Sequence, residues 1–194
     1  MTNKDGGKVR GVRLETLCDD HFTLRKAHFE LRRRDGTWQA QHRLSFDLGD
    51  AIAVLPFDRL RGRVLLIRQF RWPVFESGLD GFVIEAIAGK VDADAPEEAA
   101  RREAMEEAGV TLGTLTLVSN CFPSPGAVKE RMHVYLADYD ASVPRQPGGG
   151  LAAEGEDIEV LELSLDEAFA MIASGAIIDA KTILLLQAAK LVTA

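Results

Sequence analysis

Residues 89–110 read GKVDADAPEEAARREAMEEAGV, and this segment is the most informative part of the 194-residue chain. From 96 to 108 it contains no β-branched residue and is rich in Ala, Glu and Arg, which are strong helix formers. Asp94 and Glu97 have the spacing of a capping box, and Gly109 is a natural C-terminal stop. The segment therefore predicts a short loop followed by a helix over 96–108.

Three carboxylates mark one face of this predicted helix. Glu103, Glu106 and Glu107 have the i, i+3, i+4 spacing that places side chains together, so their charges repel one another. They also lie in the last turns, where the helix dipole opposes negative charge. A bound cation would neutralise them, and an oxygen-only donor set favours Mg²⁺, with Mn²⁺ as the alternative. A solvated acidic face with local ion pairs is the competing interpretation.

The surrounding sequence predicts a mixed α+β fold. Alternating runs on either side of Asp35-Gly36 predict a β-hairpin, and a boundary is expected near residue 48. Nearly continuous apolar runs at 51–57 and 63–70 are typical of strands covered on both faces. The remaining predictions are a loop at 72–81, strands at 82–88, 115–122, 132–139 and 158–163, a mobile loop at 144–156, and helices that begin after Ser164 and Asp179 and end near Gly175 and Val192.

Composition excludes several classes of protein. The chain is 46% hydrophobic and 27% charged, which is typical of globular domains rather than disordered chains. A net charge of −7 argues against nucleic acid or anionic membrane as a partner, and no apolar run reaches the ~18 residues of a membrane span. No secretory signal is visible near Met1, and Cys18 and Cys121 fit reduced thiols. A cytoplasmic location is expected.

The acidic helix resembles the signature of the Nudix hydrolases. Residues 102–110, RExxEExGV with x for the variable positions, match every fixed position of the second half of that motif. The loop before it is one residue shorter than the motif. Its usual Glu is replaced by Asp94 or Ala95, depending on the end from which the loop is counted.

Further stretches resemble the nucleoside-diphosphate-sugar branch of that family. They are Cys18–Leu24, Leu66–Arg71, Ser124–Gly126, Gly155–Val160 and Asp179–Thr182. The resemblance implies an α/β/α sandwich at 49–194 and a small antiparallel β-sheet domain at 1–48, exchanged between the subunits of a homodimer. It also implies hydrolysis of a nucleotide sugar, with GDP-mannose giving GMP and mannose 1-phosphate as the first choice. The alternatives are ADP-ribose, giving AMP and ribose 5-phosphate, and a non-catalytic nucleotide-sugar binding module.

The same resemblance implies roles for individual residues. The expected metal ligands are the Ala88 carbonyl, Glu103, Glu106, Glu107 and Glu156. Glu103 and Glu107 are expected to be catalytic through that metal. Both Glu130 and Glu156 lie on loops from which a carboxylate could reach the attacking water; Glu130 is favoured as catalytic acid or base and Glu156 as metal ligand. The expected substrate-binding residues are His21, His42, Arg43, Arg68, Arg71, Gly89 and Lys181.

Two of these, Arg68 and Arg71, are also indicated by their chemistry. They lie at the end of an apolar strand, and a forked guanidinium suits bidentate contacts with phosphate. An ordinary ion pair at the end of a strand is the alternative for both.

Overall fold

The computed structural model describes residues 7–91 and 95–193, which form nine strands and four α-helices. These residues divide into two compact units. Unit 1 comprises the described residues up to Gly49 together with Ser124–Glu130. Unit 2 comprises Asp50–Pro123 and the described residues from Arg131 onwards. No helix in the described part of the chain combines the length and the apolar character that crossing a membrane requires.

Unit 1 is built on an antiparallel β-meander. Its strands are β1 (Val9–Asp19), β2 (Thr23–Arg32) and the first part of β3 (Trp38–Asp58). The predicted turn between β2 and β3 is confirmed, because Gly36 has φ +85° and the Thr37 N–H donates to Asp35 Oδ1 over 3.0 Å. Strand β1 was not predicted, since it is almost entirely exposed and has no clear apolar alternation.

Unit 2 contains the other elements. They are the rest of β3, β4 (Arg63–Phe70), α1 (Trp72–Glu76), β5 (Phe82–Glu85), β6 (Ile87–Val91), α2 (Pro96–Ala108), β7 (Leu115–Cys121), β8 (Val128–Asp138, which begins in unit 1), β9 (Glu159–Ser164), α3 (Leu165–Ser174) and α4 (Ala180–Leu191). One prediction is wrong here, because the segment expected to be a loop at 72–81 begins with α1. Pro73 in the first turn allows this short helix, since that position needs no hydrogen-bond donor.

The sheet of unit 2 is covered on both faces, as its apolar strands predicted. In β3, Ala51, Ala53, Leu55 and Phe57 pack in the same cluster as residues of α3 and α4. The residues between them, Ile52 and Val54, join the alanines of α2 in a second cluster. Strands β4 and β8 alternate between the same two clusters. The expected α/β/α sandwich, and with it the α+β class, is confirmed.

Helix α2 begins at the predicted residue but with a different cap. Its N-cap is Ala95, whose N–H donates to Glu98 Oε2 over 3.3 Å. Asp94, which we expected to cap the helix with Glu97, lies outside the described residues. The C-terminal stop is confirmed, since Gly109 has φ +66° and its N–H donates to the Met105 carbonyl.

Candidate active site

Helix α2 places its carboxylates beside the sheet because its packing face is made of alanine. Ala100, Ala104 and Ala108 are fully buried, and these small side chains let the helix lie close to the strands. Glu107 shares this face and is only 2% exposed. Glu103, one turn earlier, keeps 12% of its side chain exposed. Two of the three predicted ligands on this helix are therefore withdrawn from bulk water.

Strand β6 passes close to both of these carboxylates. The Ala88 N–H donates to Glu107 Oε2 over 3.3 Å. A Cβ added to Gly89 would lie 2.1 Å from Glu103 Cδ, so a side chain there would collide with the carboxylate. Glycine at this position lets the backbone approach Glu103 closely, and a larger residue would have to displace the carboxylate. The structure thus brings Ala88, Gly89, Glu103 and Glu107 together.

The C-terminal end of α2 is covered by the glycine-rich segment at 146–150. Gln146 N–H donates to the Gly109 carbonyl, Gly149 N–H to that of Glu107 and Gly150 N–H to that of Glu106, over 2.9–3.1 Å. A Cβ on Gly148 would lie 2.4 Å from the Glu107 carbonyl oxygen. The segment predicted as part of a mobile loop is instead anchored, because its N–H groups satisfy carbonyls that a helix end leaves unpaired.

This anchored segment also positions Glu156. The Leu151 N–H donates to Glu156 Oε2 over 2.8 Å, and Gly150 leaves room for the carboxylate. Its charge is close enough to act on Glu103 and Glu107. Glu156 is far from α2 in the sequence, and the structure places it near the carboxylates of that helix, as its predicted role as a metal ligand requires.

The group carries more negative charge than its surroundings neutralise. Burial, followed by repulsion from Glu103 and Glu156, raises the pKa of Glu107 to about 8. Burial also raises the pKa of Glu103 to about 7, although the nearby Arg102 opposes the rise. Removing a carboxylate from water disfavours its charged form, and like charges add to the effect. A cation would remove both penalties.

The carboxylates of this group suit a divalent metal ion in their chemistry. Their donors are all carboxylate oxygens, which hard cations such as Mg²⁺ prefer. Within residues 7–91 and 95–193, no three acidic, His or Cys side chains converge as a preformed metal site. Two of the carboxylates are paired with Arg102, whose Nη1 lies 2.8 Å from Glu103 and 3.1 Å from Glu106. The residues fit a cation in their chemistry, and binding would require these ion pairs to rearrange so that the carboxylates converge.

Two of the predicted substrate-binding residues meet at Glu85. Arg71 donates through Nε and Nη2 to both carboxylate oxygens, over 3.0 and 2.7 Å. Lys181 Nζ donates to Glu85 Oε2 over 3.1 Å. The charge of Arg71 also acts on Glu107, so this group lies beside the acidic one. Arg71 thus forms an ion pair, which was the alternative to phosphate binding. The pair nevertheless lies beside the acidic group, where the substrate is expected.

The other predicted contacts are more scattered. Arg68 pairs with Glu159 over 3.3 Å and lies over the ring of Phe82. The remaining predicted residues belong to unit 1: the ring of His21 contacts Phe22, the Arg43 guanidinium donates to the His42 carbonyl, and Glu130 lies in β8. The roles of these four residues, like those of the other site residues, stay predictions.

Sequence reasoning missed Glu85 as a site residue. One signal was present, since a single acidic residue interrupts the apolar strand at 82–88. Such a residue needs a partner when buried. Its partners come from positions 14 and 96 residues away, so spacing along the chain did not identify them.

Comparison with known proteins places these features in a family. The model of the NUDIX domain matches residues 47–186, and the model described as the GDP-mannose pyrophosphatase NudK N-terminal domain matches residues 8–46. Members of the Nudix family generally use divalent metal ions.

Individual relatives match over nearly their whole length. A GDP-mannose pyrophosphatase of Pectobacterium atrosepticum is 44% identical over 91% of both chains. One from Yersinia enterocolitica is 42% identical over 95% of this chain and 96% of its own. The crystal structure of an ADP compounds hydrolase shares the fold, with a TM-score of 0.69, 18% identity and coverage of 93% of this chain and 91% of its own. A carboxylate-bearing helix inside an α/β/α sandwich, a matching domain model and these relatives lead to one conclusion: the chain belongs to the Nudix hydrolase family.

Proposed function

We propose that this protein hydrolyses the diphosphate bond of GDP-mannose and releases GMP and mannose 1-phosphate. The observation that carries the proposal is the group formed by Glu103, Glu107 and Glu156 beside Arg71 and Lys181. It combines carboxylate oxygens, which can bind a cation, with two cationic side chains, which can bind an anionic substrate. The substrate itself is inferred from relatives named GDP-mannose pyrophosphatase, which match this chain along more than nine-tenths of its length.

The proposed reaction is a displacement at phosphorus. The oxygen of water forms a bond to one phosphorus, the bridging P–O bond breaks, and the proton of water leaves to a base. Glu103, Glu106, Glu107, Glu156 and the Ala88 carbonyl would hold Mg²⁺ or Mn²⁺, which supplies positive charge for the phosphoryl oxygens. Arg71 and Lys181 would bind the remaining phosphate oxygens. The chain's net charge of −7 makes such local positive charge necessary.

Several roles in this proposal depend on the family resemblance. We propose Glu130 as the catalytic acid or base, and His21, His42 and Arg43 as nucleotide contacts, together with Arg68 and Gly89 at the phosphates. We also propose a homodimer in which the N-terminal domain, residues 1–48, is exchanged between subunits and the Nudix domain spans 49–194. The two free cysteines are in keeping with action in the cytoplasm.

A substrate panel tests the proposal. GDP-mannose and ADP-ribose would be incubated with the protein in Mg²⁺ and then in EDTA, and the products separated by ion-exchange chromatography. We expect GMP and mannose 1-phosphate from GDP-mannose, and no turnover in EDTA. Preferential formation of AMP and ribose 5-phosphate would assign the alternative substrate, ADP-ribose. Binding of both nucleotides without turnover would indicate a binding module and reject the enzyme.

A further inference from the structure

Glu85 is a buried carboxylate to which the proposed reaction gives no role. Its side chain is only 5% exposed, and it accepts hydrogen bonds from Arg71 and Lys181. The Arg71 contact is bidentate, with distances of 3.0 and 2.7 Å. A fork of this kind fixes the plane of the guanidinium as well as its position.

Lys181 is fixed by a second carboxylate. Its Nζ lies 3.0 Å from Asp179 Oδ1, while Asp179 Oδ2 accepts the N–H and the hydroxyl of Thr182 at the start of α4. The Thr182 hydroxyl oxygen in turn accepts the Ala86 N–H over 2.7 Å. These bonds connect α4 with the backbone that leads into Ala88 and Gly89. The cations are therefore held in a constant relation to the strand that lies against Glu103 and Glu107.

The pairing leaves donors for a further anion. A guanidinium has five N–H donors and an ammonium has three. Glu85 accepts two hydrogen bonds from Arg71 and one from Lys181. Lys181 also forms an ion pair with Asp179, so among the described contacts each cation keeps at least one N–H for a further anion. The Arg71 side chain is 40% exposed and lies close enough to Glu107 for their charges to interact.

We propose that Glu85 is a positioning residue, which holds Arg71 and Lys181 in the orientation that binds the diphosphate of the substrate. The inference rests on the proposed function, which supplies that diphosphate. Without Glu85, two long side chains would have to be ordered when the substrate binds, and they would repel each other until then. Glu85 should therefore affect substrate binding more than the rate of the chemical step.

The test compares Glu85→Gln with a matched control, Asp58→Asn. Asp58 is also a buried carboxylate of unit 2, 3% exposed and paired with Arg61 over 2.9 Å, but none of its described contacts is a proposed site residue. The measurement is kcat and KM for GDP-mannose hydrolysis in Mg²⁺. We expect Glu85→Gln to raise KM by at least ~10-fold with a smaller change in kcat. Asp58→Asn should leave KM within ~2-fold of the unsubstituted protein.

A double-mutant cycle shows whether Glu85 acts through its partners. Glu85→Gln should raise KM by clearly less when it is added to Arg71→Ala than when it is made in the unsubstituted protein. The reason is that Arg71→Ala has already removed one of the contacts through which Glu85 acts. Should Glu85→Gln not fold, Glu85→Asp is the second variant. It keeps the charge but is one methylene shorter, and we expect its KM to rise several-fold at unchanged fold.

The outcomes separate this inference from the proposed function. If the unsubstituted protein does not turn over GDP-mannose, the proposed function is wrong. If it does, but Glu85→Gln and Glu85→Asp both keep KM within ~2-fold, the positioning role is wrong while the function stands. An equal rise of KM in Asp58→Asn would also overturn the role, since it would reflect a general loss of stability.

Discussion

Two buried glutamates of unit 2 have nearly the same exposure and opposite electrostatics. Glu107 is 2% exposed and Glu85 is 4% exposed. Burial and its acidic neighbours raise the pKa of Glu107 to about 8. Burial acts in the same direction on Glu85, but Arg71 and Lys181 outweigh it and lower the pKa of that carboxyl. Partners rather than burial thus decide which carboxylate is ready for a cation and which is already neutralised.

The largest expected effect is on catalysis at the acidic group. Glu103→Gln should lower kcat for GDP-mannose by at least ~100-fold, because it removes a proposed ligand of the cation that would stabilise charge on the reacting phosphate. The measurement is steady-state kinetics with far-UV circular dichroism as a check on folding. Glu97→Gln is the matched control, since it removes an exposed charge from the same helix. Equal activity of the two variants would contradict the role of Glu103.

The next largest effect should be on metal binding, which is expected to depend on Glu107 and not on Glu85. At a Mg²⁺ concentration ~100 times its Kd, binding to the folded state adds about 2.7 kcal/mol to the free energy of unfolding. We expect this rise in the unsubstituted protein and in Glu85→Gln, but not in Glu107→Gln. Differential scanning calorimetry with and without Mg²⁺ measures it. A full rise in Glu107→Gln would show that the cation binds elsewhere.

Without metal, the two substitutions should change stability in opposite directions. Glu85→Gln removes the carboxylate that Arg71 and Lys181 share, although Lys181 keeps its pair with Asp179, and should lower the free energy of unfolding by about 2 kcal/mol. Glu107→Gln removes a repelled carboxylate and should raise it by about 1 kcal/mol at pH 8. Urea denaturation in EDTA compares the two. Destabilisation of similar size in both variants would mean that repulsion among the carboxylates does not lower the stability of the folded protein.

The smallest effects should appear in the pH dependence of the metal-free protein. A raised folded pKa means that the contribution of Glu107 is fully present below the unfolded value of about 4.3 and is lost as pH rises towards about 8. The lowered pKa of Glu85 means that its contribution is present above that unfolded value and is lost as pH falls below it. Melting temperatures from pH 3 to 9 should therefore decline on both sides. Glu107→Gln should flatten the alkaline decline and Glu85→Gln the acidic one.

The same comparison shows what could be predicted. Glu103, Glu106 and Glu107 were identified from their spacing on a helix, because a helical face is a local property. Glu156 was identified only through resemblance, and its approach to Glu103 depends on Gly148 and Gly150 letting a distant segment lie against the end of α2.

Other elements lacked a usable local signal. Strand β1 is exposed along nearly its whole length, so it carries little of the alternation that marks a half-buried strand. Helix α1 spans only five residues, too few to show a helical period. An element that is stabilised by its contacts and has no apolar pattern of its own is difficult to predict from the sequence.

The sequence by itself determined the family motif, the helix that bears it, and the two-sided burial of the strands, since each depends on the spacing of residues that are close in the chain. Only the tertiary structure decided which carboxylates are neutralised. Glu85 and Glu107 are the same residue type and are similarly buried, although Glu85 interrupts an apolar strand and Glu107 lies on a charged helix. Folding brings Arg71 and Lys181 to Glu85, whereas it buries Glu107 beside Glu103 and the distant Glu156. Electrostatic interaction depends on distance in space and on burial, and neither follows from separation in the sequence.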